Sequence, residues 1–200
     1  DEYDNIKSVV NDYLKEGIAH TLDETRNLSD SGQFEDISLQ QGIRQILYPY
    51  EEMEVLNPEW EVILKDIIDS LFEQMSDEEY NILNEEFGTY MVSRAYEYRQ
   101  LLEYLVFRYF AKSIYDYDFL GKCQMLVTNF FVIRQMDIIR WLDNHREYSF
   151  KDRMDVVHIF SRQVEYSEDN IENLYEDFIF DDIFKTDSLI AILWIDSENI

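Results

Sequence analysis

Cysteine is almost absent from this sequence, and its scarcity removes several kinds of site. The 200 residues contain one cysteine, Cys123, and three histidines that lie far apart at positions 20, 145 and 158. A lone cysteine forms no internal disulfide, and no cysteine pair or closely spaced histidine pair could hold zinc or an iron–sulfur cluster. We therefore expect Cys123 to be a buried structural thiol, no oxidising compartment to be required, and no transition metal to be bound by this chain.

Glycine and proline are scarce as well, at 5 and 2 residues. So few turn residues leave little material for hairpins, whereas Leu, Glu, Arg, Lys and Met favour helix through most of the chain. Alternating strand patterns, helical repeats, glycine-rich phosphate loops and the G-x-S-x-G turn of hydrolases are all missing from the sequence. The composition predicts a single all-α domain over residues 1–200, an irregular bundle of about six to eight helices.

Basic residues are few: 17 Lys and Arg face 43 Asp and Glu, for a formal net charge of −26. The imbalance lies at the two ends, because residues 94–162 carry 11 bases and 9 acids. Such a surface repels nucleic acid and anionic lipid and attracts cationic partners. The alternative interpretation is a charged coat that serves solubility alone. The 46% hydrophobic and 16% aromatic content indicates a folded core in either case.

Long hydrophobic runs are missing too. The longest uncharged stretch of the apolar middle is "CQMLVTNFFVI", residues 123–133, which is far below the roughly 18 residues that cross a bilayer. The chain opens with "DEYDNIKSVV", which has neither the basic nor the apolar region of a signal peptide. We expect a cytoplasmic protein that does not contact membranes, and a fragment of a longer chain.

Polar residues mark the predicted helix starts. Asn57 followed by Pro58 is typical of an N-cap and a first-turn proline, for a helix to about Gln74. The other predicted starts are Ser76 with Glu79, Ser149 with Asp152, Ser167, and Thr186 or Asp187 before a short last helix to Trp194.

Patterning predicts the remaining elements. We expect an amphipathic helix over residues 6–16, a mobile loop over 27–38, and a helix over 39–48 that Pro49 ends. A long αα-hairpin, about 90–115 and 118–144, is apolar around more than half of each helix, and we expect both arms in the middle of the bundle.

Two cations stand out in "EYLVFRYFAKSIYDYD". Arg108 and Lys112 are about 40° apart on a helical wheel, so they form a stripe. The stripe is either an ordinary amphipathic surface or a patch that docks another domain or an anionic ligand, which Arg134 and Arg140 on the next helix could extend.

One histidine has polar neighbours at helical spacing. His158 is followed by Arg162 and Glu165 on one predicted helix face, which allows a general base or, as the simpler interpretation, a packed histidine with one hydrogen bond. The aromatic residues of the hairpin allow core packing or a pocket for a cation: Tyr104, Phe107, Tyr109, Phe110, Phe130, Phe131 and Trp141.

Three segments carry a resemblance to a known family. "MEVLNPEWEVILKDI", "LLEYLVFRYFAKSIYDYDFLGKCQMLVTNFFVIRQMDIIRWL" and "FSRQVEYSEDNIENLYEDF" resemble, in order and spacing, the C-terminal half of the bacterial flagellin lysine N-methylases. The similarity runs from about residue 39 to residue 193, and none of these segments is a catalytic motif by itself.

The resemblance implies methyl transfer from S-adenosylmethionine to lysine side chains of a flagellin-like, lysine-rich protein. Members of that family also carry a cysteine-rich N-terminal part thought to hold an iron–sulfur cluster. Cys123 alone cannot supply this cluster. The chain is therefore expected either to support a missing catalytic half or to recruit the protein substrate for it. The competing interpretation is a non-enzymatic, acidic helical module that binds a basic protein.

Overall fold

Most residues in the described part of the chain are helical. A computed structural model describes residues 37–198, so the predicted helix 6–16 and all but the last two residues of the predicted loop 27–38 lie outside it. The helices in this range are α1 (Leu39–Glu51), α2 (Pro58–Ile67), α3 (Asp77–Met91), α4 (Ala95–Tyr109), α5 (Ser113–Asp116), α6 (Phe119–Asp143), α7 (Phe150–Phe160), α8 (Glu168–Phe180) and α9 (Thr186–Glu198). The all-α helical bundle is confirmed.

Local capping chemistry fixes most helix starts as predicted. Asn57 accepts a hydrogen bond from the backbone of Glu59, and Pro58 begins α2. Ser76 and Ser149 form complete capping boxes, and Ser167 caps α8. One expectation was wrong: α9 begins at Thr186 itself and runs past Trp194 to Glu198, so neither Thr186 nor Asp187 is its cap.

Pro49 does not end α1, contrary to the sequence prediction. The helix continues to Glu51 with Pro49 inside it. A proline this close to the C-terminus removes one backbone hydrogen bond, and tertiary packing holds the last turn instead. Tyr50 is fully buried there, and its hydroxyl donates to Asn129 Oδ1 at 2.7 Å.

The helix predicted from Pro58 to about Gln74 also differs in detail. Its α-helical part ends at Ile67 and continues as a π-helical segment, Ile68–Glu73. The side chain of Gln40 donates to the backbone oxygens of Leu71 and Met75 at 2.6 and 2.9 Å, which anchors this segment to α1. That anchor is a contact between distant residues, so no local pattern predicts it.

Helix α6, the predicted second arm of the hairpin, is the centre of the bundle. Sixteen of its 25 residues are buried, and it packs against α1, α2, α4, α7, α8 and α9. Asp118 caps it by accepting a hydrogen bond from the backbone of Gly121 at 2.9 Å. A Cβ on Gly121 would lie 2.2 Å from Asp118 Oδ2, so a larger residue there would displace the capping side chain.

The first arm differs from its prediction. A 3₁₀ turn, Val92–Arg94, separates α4 from α3, and Arg94 donates to the backbone oxygen of Tyr148 at this break. Helix α4 buries one face only, and Phe107 on its outer face is 80% exposed. Helix α4 therefore lies at the edge of the bundle, and the expectation that both arms are in the middle was wrong for this arm. No helix in the described range is long and apolar enough to cross a membrane.

Candidate functional site: a charged groove between three helices

An open groove of about 640 Å³ lies between α2, α6 and α7, each of which packs against the other two. Each helix contributes four residues at the spacing i, i+3, i+4 and i+7, which is one helical face over two turns. The lining consists of Glu59, Val62, Ile63 and Asp66 from α2, Met136, Ile139, Arg140 and Asp143 from α6, and Asp155, His158, Ile159 and Arg162 from α7 and the π-helical segment after it.

The groove combines an apolar base with a charged edge. Met136, Ile139 and Ile159 are buried beneath it, whereas His158 and Arg162 are exposed to solvent. Four carboxylates face two guanidinium groups and one imidazole. A long side chain with an apolar stem and a charged end would match both parts of this lining.

The charged groups of the groove are not held in ion pairs by the part of the protein that the structure describes. Among the described residues, none of these seven side chains forms a salt bridge or a side-chain hydrogen bond. Elsewhere in the same range, acids and bases do pair, as Lys122 does with Asp116 at 2.9 Å. The groove therefore keeps its charges available to a molecule from outside.

The groove brings together three residues that the sequence had assigned to two separate sites. Arg140 came from the predicted cationic patch, and His158 and Arg162 from the predicted polar cluster. The side chain of His158 is exposed and forms no hydrogen bond with the described residues, so the interpretation as a packed histidine was wrong.

Glu165, the third member of that predicted cluster, lies elsewhere. It ends the π-helical segment Ser161–Glu165, whose wider turns rotate it away from the face of His158. Its buried carboxylate accepts hydrogen bonds from the hydroxyls of Tyr104 at 2.8 Å and Tyr109 at 3.2 Å, and Arg108 Nε lies 3.6 Å away. Burial and this carboxylate raise the pKa of Tyr104 to about 12.

The four predicted patch cations do not share one surface. Arg108 contacts Glu165, and Lys112 is exposed in the 3₁₀ turn Phe110–Lys112. Arg134 is buried in α6 and donates to Asn84 Oδ1 at 2.6 Å. Arg140 alone faces the groove. Arg134 and Arg140 are six residues apart on α6, which places them on different faces of a helix that other helices surround.

The hairpin aromatics and Cys123 also have separate places. Tyr109, Phe131 and Trp141 are core residues, whereas Phe107 is mostly exposed. Cys123 is only half-buried, and burial raises the pKa of its thiol.

The groove carboxylates were missed from the sequence, although a signal was present. Glu59 and Asp66 are seven residues apart on α2, and Asp143 and Asp155 lie on the two helices next to it in space. Two carboxylates at i and i+7 are neighbours on a helix face, but a chain with 43 acids contains many such pairs. Only the packing of the three helices distinguishes these four.

A second cluster, also missed, is closed. We call it the buried network: Glu97 of α4, Asp137 of α6 and Arg153 of α7, all at most 5% exposed. Arg153 donates to Asp137 and lies 3.5 Å from Glu97, and Tyr98 donates to Asp137 at 2.8 Å. Tyr148 and Arg94 complete it by contacting Asp137 and Glu97.

Electrostatics explains why the buried network needs so many partners. Burial raises the pKa of Asp137, while Arg153 and the hydroxyls of Tyr148 and Tyr98 act in the opposite direction by stabilising the carboxylate. The Arg153 guanidinium lies 4.3 Å from the centre of the Tyr98 ring. This arrangement ties α4, α6 and α7 together.

Binding of a metal ion or of a methyl donor requires particular side chains. No group of three or more His, Cys, Asp or Glu among the described residues could hold a metal ion. The groove offers carboxylates to the sulfonium of S-adenosylmethionine but no Phe, Tyr or Trp face to its adenine ring. We assign no groove residue to this molecule.

Comparison with known proteins supplies the family context. A family model described as FliB lysine N-methylase C-terminal domain matches residues 1–192. Neither a curated protein nor a solved structure matches the chain.

Proposed function

The chain belongs to the FliB lysine N-methylase C-terminal domain family, and from this premise we propose that it recruits lysine-bearing protein substrates for methylation. The methylase would use S-adenosylmethionine in the cytoplasm and act on a flagellin-like protein. The observation that supports recruitment is the groove, in which four carboxylates that form no salt bridge with residues 37–198 surround an apolar base.

A lysine side chain complements this groove in shape and charge. Its four-carbon stem can lie along Val62 and the apolar base, while its ammonium group contacts carboxylates such as Asp66 or Asp155. The net charge of −26 adds long-range attraction for a lysine-rich protein, an effect that salt screens.

The same chemistry indicates recruitment and not methyl transfer at the groove. An amine must be neutral to attack the methyl group, and carboxylates close to a lysine hold it in its charged form by raising its pKa. A lysine in the groove is therefore bound but not activated. The acceptor lysine would be deprotonated at a different site of the methylase.

Binding measurements on this chain test the recruitment step. A lysine-rich, flagellin-like protein should bind with an affinity that falls about fivefold when Asp66→Asn and Asp155→Asn are combined, since about 1 kcal/mol is expected from two solvent-accessible charge contacts. The matched control, Glu85→Gln with Glu172→Gln, removes two exposed carboxylates outside the groove. Equal losses in both variants would show that the overall negative charge, and not the groove, accounts for the binding.

Chemical modification of the substrate gives a second control. Dimethylated lysines keep their charge and should still bind, whereas acetylated lysines lose it and should not. In the longer methylase that carries this domain, the groove variant should raise KM for the protein substrate and leave kcat unchanged. Calorimetry with S-adenosylmethionine on that methylase tests the methyl donor, and absence of binding there would contradict the methylation proposal.

A further inference from the structure

The groove has two ends with different charge, and contacts across the bundle establish them. Asn144 Nδ2, just after α6, donates to Asp152 Oδ1 at 3.0 Å, and Arg153 donates to Asp137. These pairs show that α6 and α7 run antiparallel. Asp143 at the end of α6 therefore lies towards the start of α7, at the same end of the groove as Asp155.

Helix α2 is aligned by a second set of contacts. The backbone amides of Leu56 and Asn57 donate to Gln163 Oε1 at 2.9 and 3.1 Å, and the rings of Trp60 and Phe160 lie 6.3 Å apart. The start of α2 is therefore beside the end of α7. Asp66, two turns further along α2, lies towards the opposite end.

These alignments separate the charges. One end of the groove, which we call the acidic end, has Asp66, Asp143 and Asp155 with Arg140 among them. The other end, the arginine end, has Arg162 and His158 with the single carboxylate Glu59. Seven residues of helix between Asp155 and Arg162 correspond to about 10 Å.

We propose that the groove binds a substrate segment that carries a lysine and an acidic side chain about 10 Å apart. The lysine ammonium contacts the acidic end, and the carboxylate receives hydrogen bonds from Arg162, whose guanidinium has no partner among the described residues. This proposal rests on the recruitment function and adds the substrate class: lysines are selected by an acidic neighbour.

The selection opposes the overall charge of the protein, which makes it distinctive. A chain with a net charge of −26 attracts a peptide with two lysines more strongly than one with a lysine and a glutamate. A preference for the lysine–glutamate peptide therefore cannot arise from long-range attraction. It requires a local cation at the right distance from the acidic end.

Three alanine-based helical peptides test the proposal with this chain. Each has a lysine at one position and glutamate, glutamine or lysine seven residues later, a spacing of about 10 Å on one helix face. In fluorescence anisotropy titrations the lysine–glutamate peptide should bind about fivefold more tightly than the lysine–glutamine peptide, and more tightly than the lysine–lysine peptide.

Charge reversal assigns the effect to one residue. Arg162→Glu should reverse the order, so that the lysine–lysine peptide binds best, whereas Arg99→Glu on the outer face of α4 makes the same charge change and should leave the order intact. Arg162 is exposed, so circular dichroism should show an unchanged helix content. If Arg162→Glu nevertheless unfolds, Arg162→Gln should abolish the preference for glutamate over glutamine.

The outcomes separate this inference from the recruitment function. Equal binding of the lysine–glutamate and lysine–glutamine peptides to the unaltered chain would overturn the inference and leave lysine recruitment intact. Failure of all three peptides to bind, even at low salt, would overturn both. An unchanged order in Arg162→Glu would also overturn it, because another cation would then be responsible.

Discussion

Helices α6 and α7 carry charged side chains on two sides, and the two sets differ in how the charges are balanced. In the buried network, Asp137 and Arg153 contact each other and also reach Glu97, Tyr98 or Tyr148. In the groove, no charged side chain pairs with another. The same two helices thus carry the buried network on one side and line the groove on another.

Solvent accounts for this difference. A charge removed from water is costly unless a partner of opposite charge and hydrogen bonds replace the water, so the interior admits Asp137 only together with Arg153. Charges at an open groove remain hydrated and need no partner. They can exchange water for a ligand at a moderate cost. The comparison separates charges that hold the fold from charges that can bind.

The largest expected effect on stability comes from disrupting the buried network. Arg153→Met leaves the carboxylate of Asp137 buried without its cation, which should lower the free energy of unfolding by about 3–5 kcal/mol. Urea denaturation followed by circular dichroism measures this change.

A double variant provides the control for this prediction. Asp137→Leu combined with Arg153→Met removes both charges and should be more stable than Arg153→Met alone, because no uncompensated charge remains. If the double variant is the less stable of the two, packing by the Asp137–Arg153 pair outweighs its electrostatics.

The groove should respond in the opposite way. Asp66→Asn combined with Asp155→Asn should change the free energy of unfolding by no more than about 0.5 kcal/mol, as expected for side chains that are not buried and form no salt bridge with the described residues. Removing one of several close carboxylates lowers their mutual repulsion, so any change should be stabilising. The same urea experiment measures it, and a loss of several kcal/mol would place these carboxylates with the buried network.

Local chemistry explains which parts of the fold were predictable. Ser76 and Ser149 bond to backbone groups three residues away, so their capping boxes can be predicted from a short stretch of sequence. The apolar run of α6 likewise indicated a central helix. Helix α4 has a similar composition but lies at the edge, because its position depends on which other helices cover it.

The candidate site was predictable only in part. His158 and Arg162 are one turn apart, and they do line one groove. Glu165 follows at the next helical repeat, but the π-helical segment turns it towards Tyr104 and Tyr109. Glu59 lines the same groove although it is about 100 positions away from His158 in the sequence. Helix packing brings the two together, and no local sequence pattern predicts that packing.

An effect smaller than that of Arg153→Met is expected at the start of α7, the helix that carries both regions. The hydroxyl of Ser149 donates to Asp152, and the backbone N–H of Ser149 donates to the same carboxylate at 2.7 Å. Burial acts to raise the pKa of Asp152, but the hydrogen bonds from Ser149 and Asn144 hold it below its ordinary value of 3.8. Ser149→Ala should cost about 1 kcal/mol of stability at pH 7.

The pH dependence of this cost follows from the direction of the shift. A carboxyl whose pKa is lowered by folding stabilises the protein above its unfolded pKa, and that contribution is lost as the pH falls through the lowered pKa. The cost of Ser149→Ala should therefore be constant from pH 7 to about 5 and shrink below about 4. Ser167→Ala is the matched control, because Ser167 caps α8 by accepting from the backbone of Asn170 without a carboxylate. An equal decrease for both serines in urea titrations at acid pH would show that Asp152 does not act through Ser149.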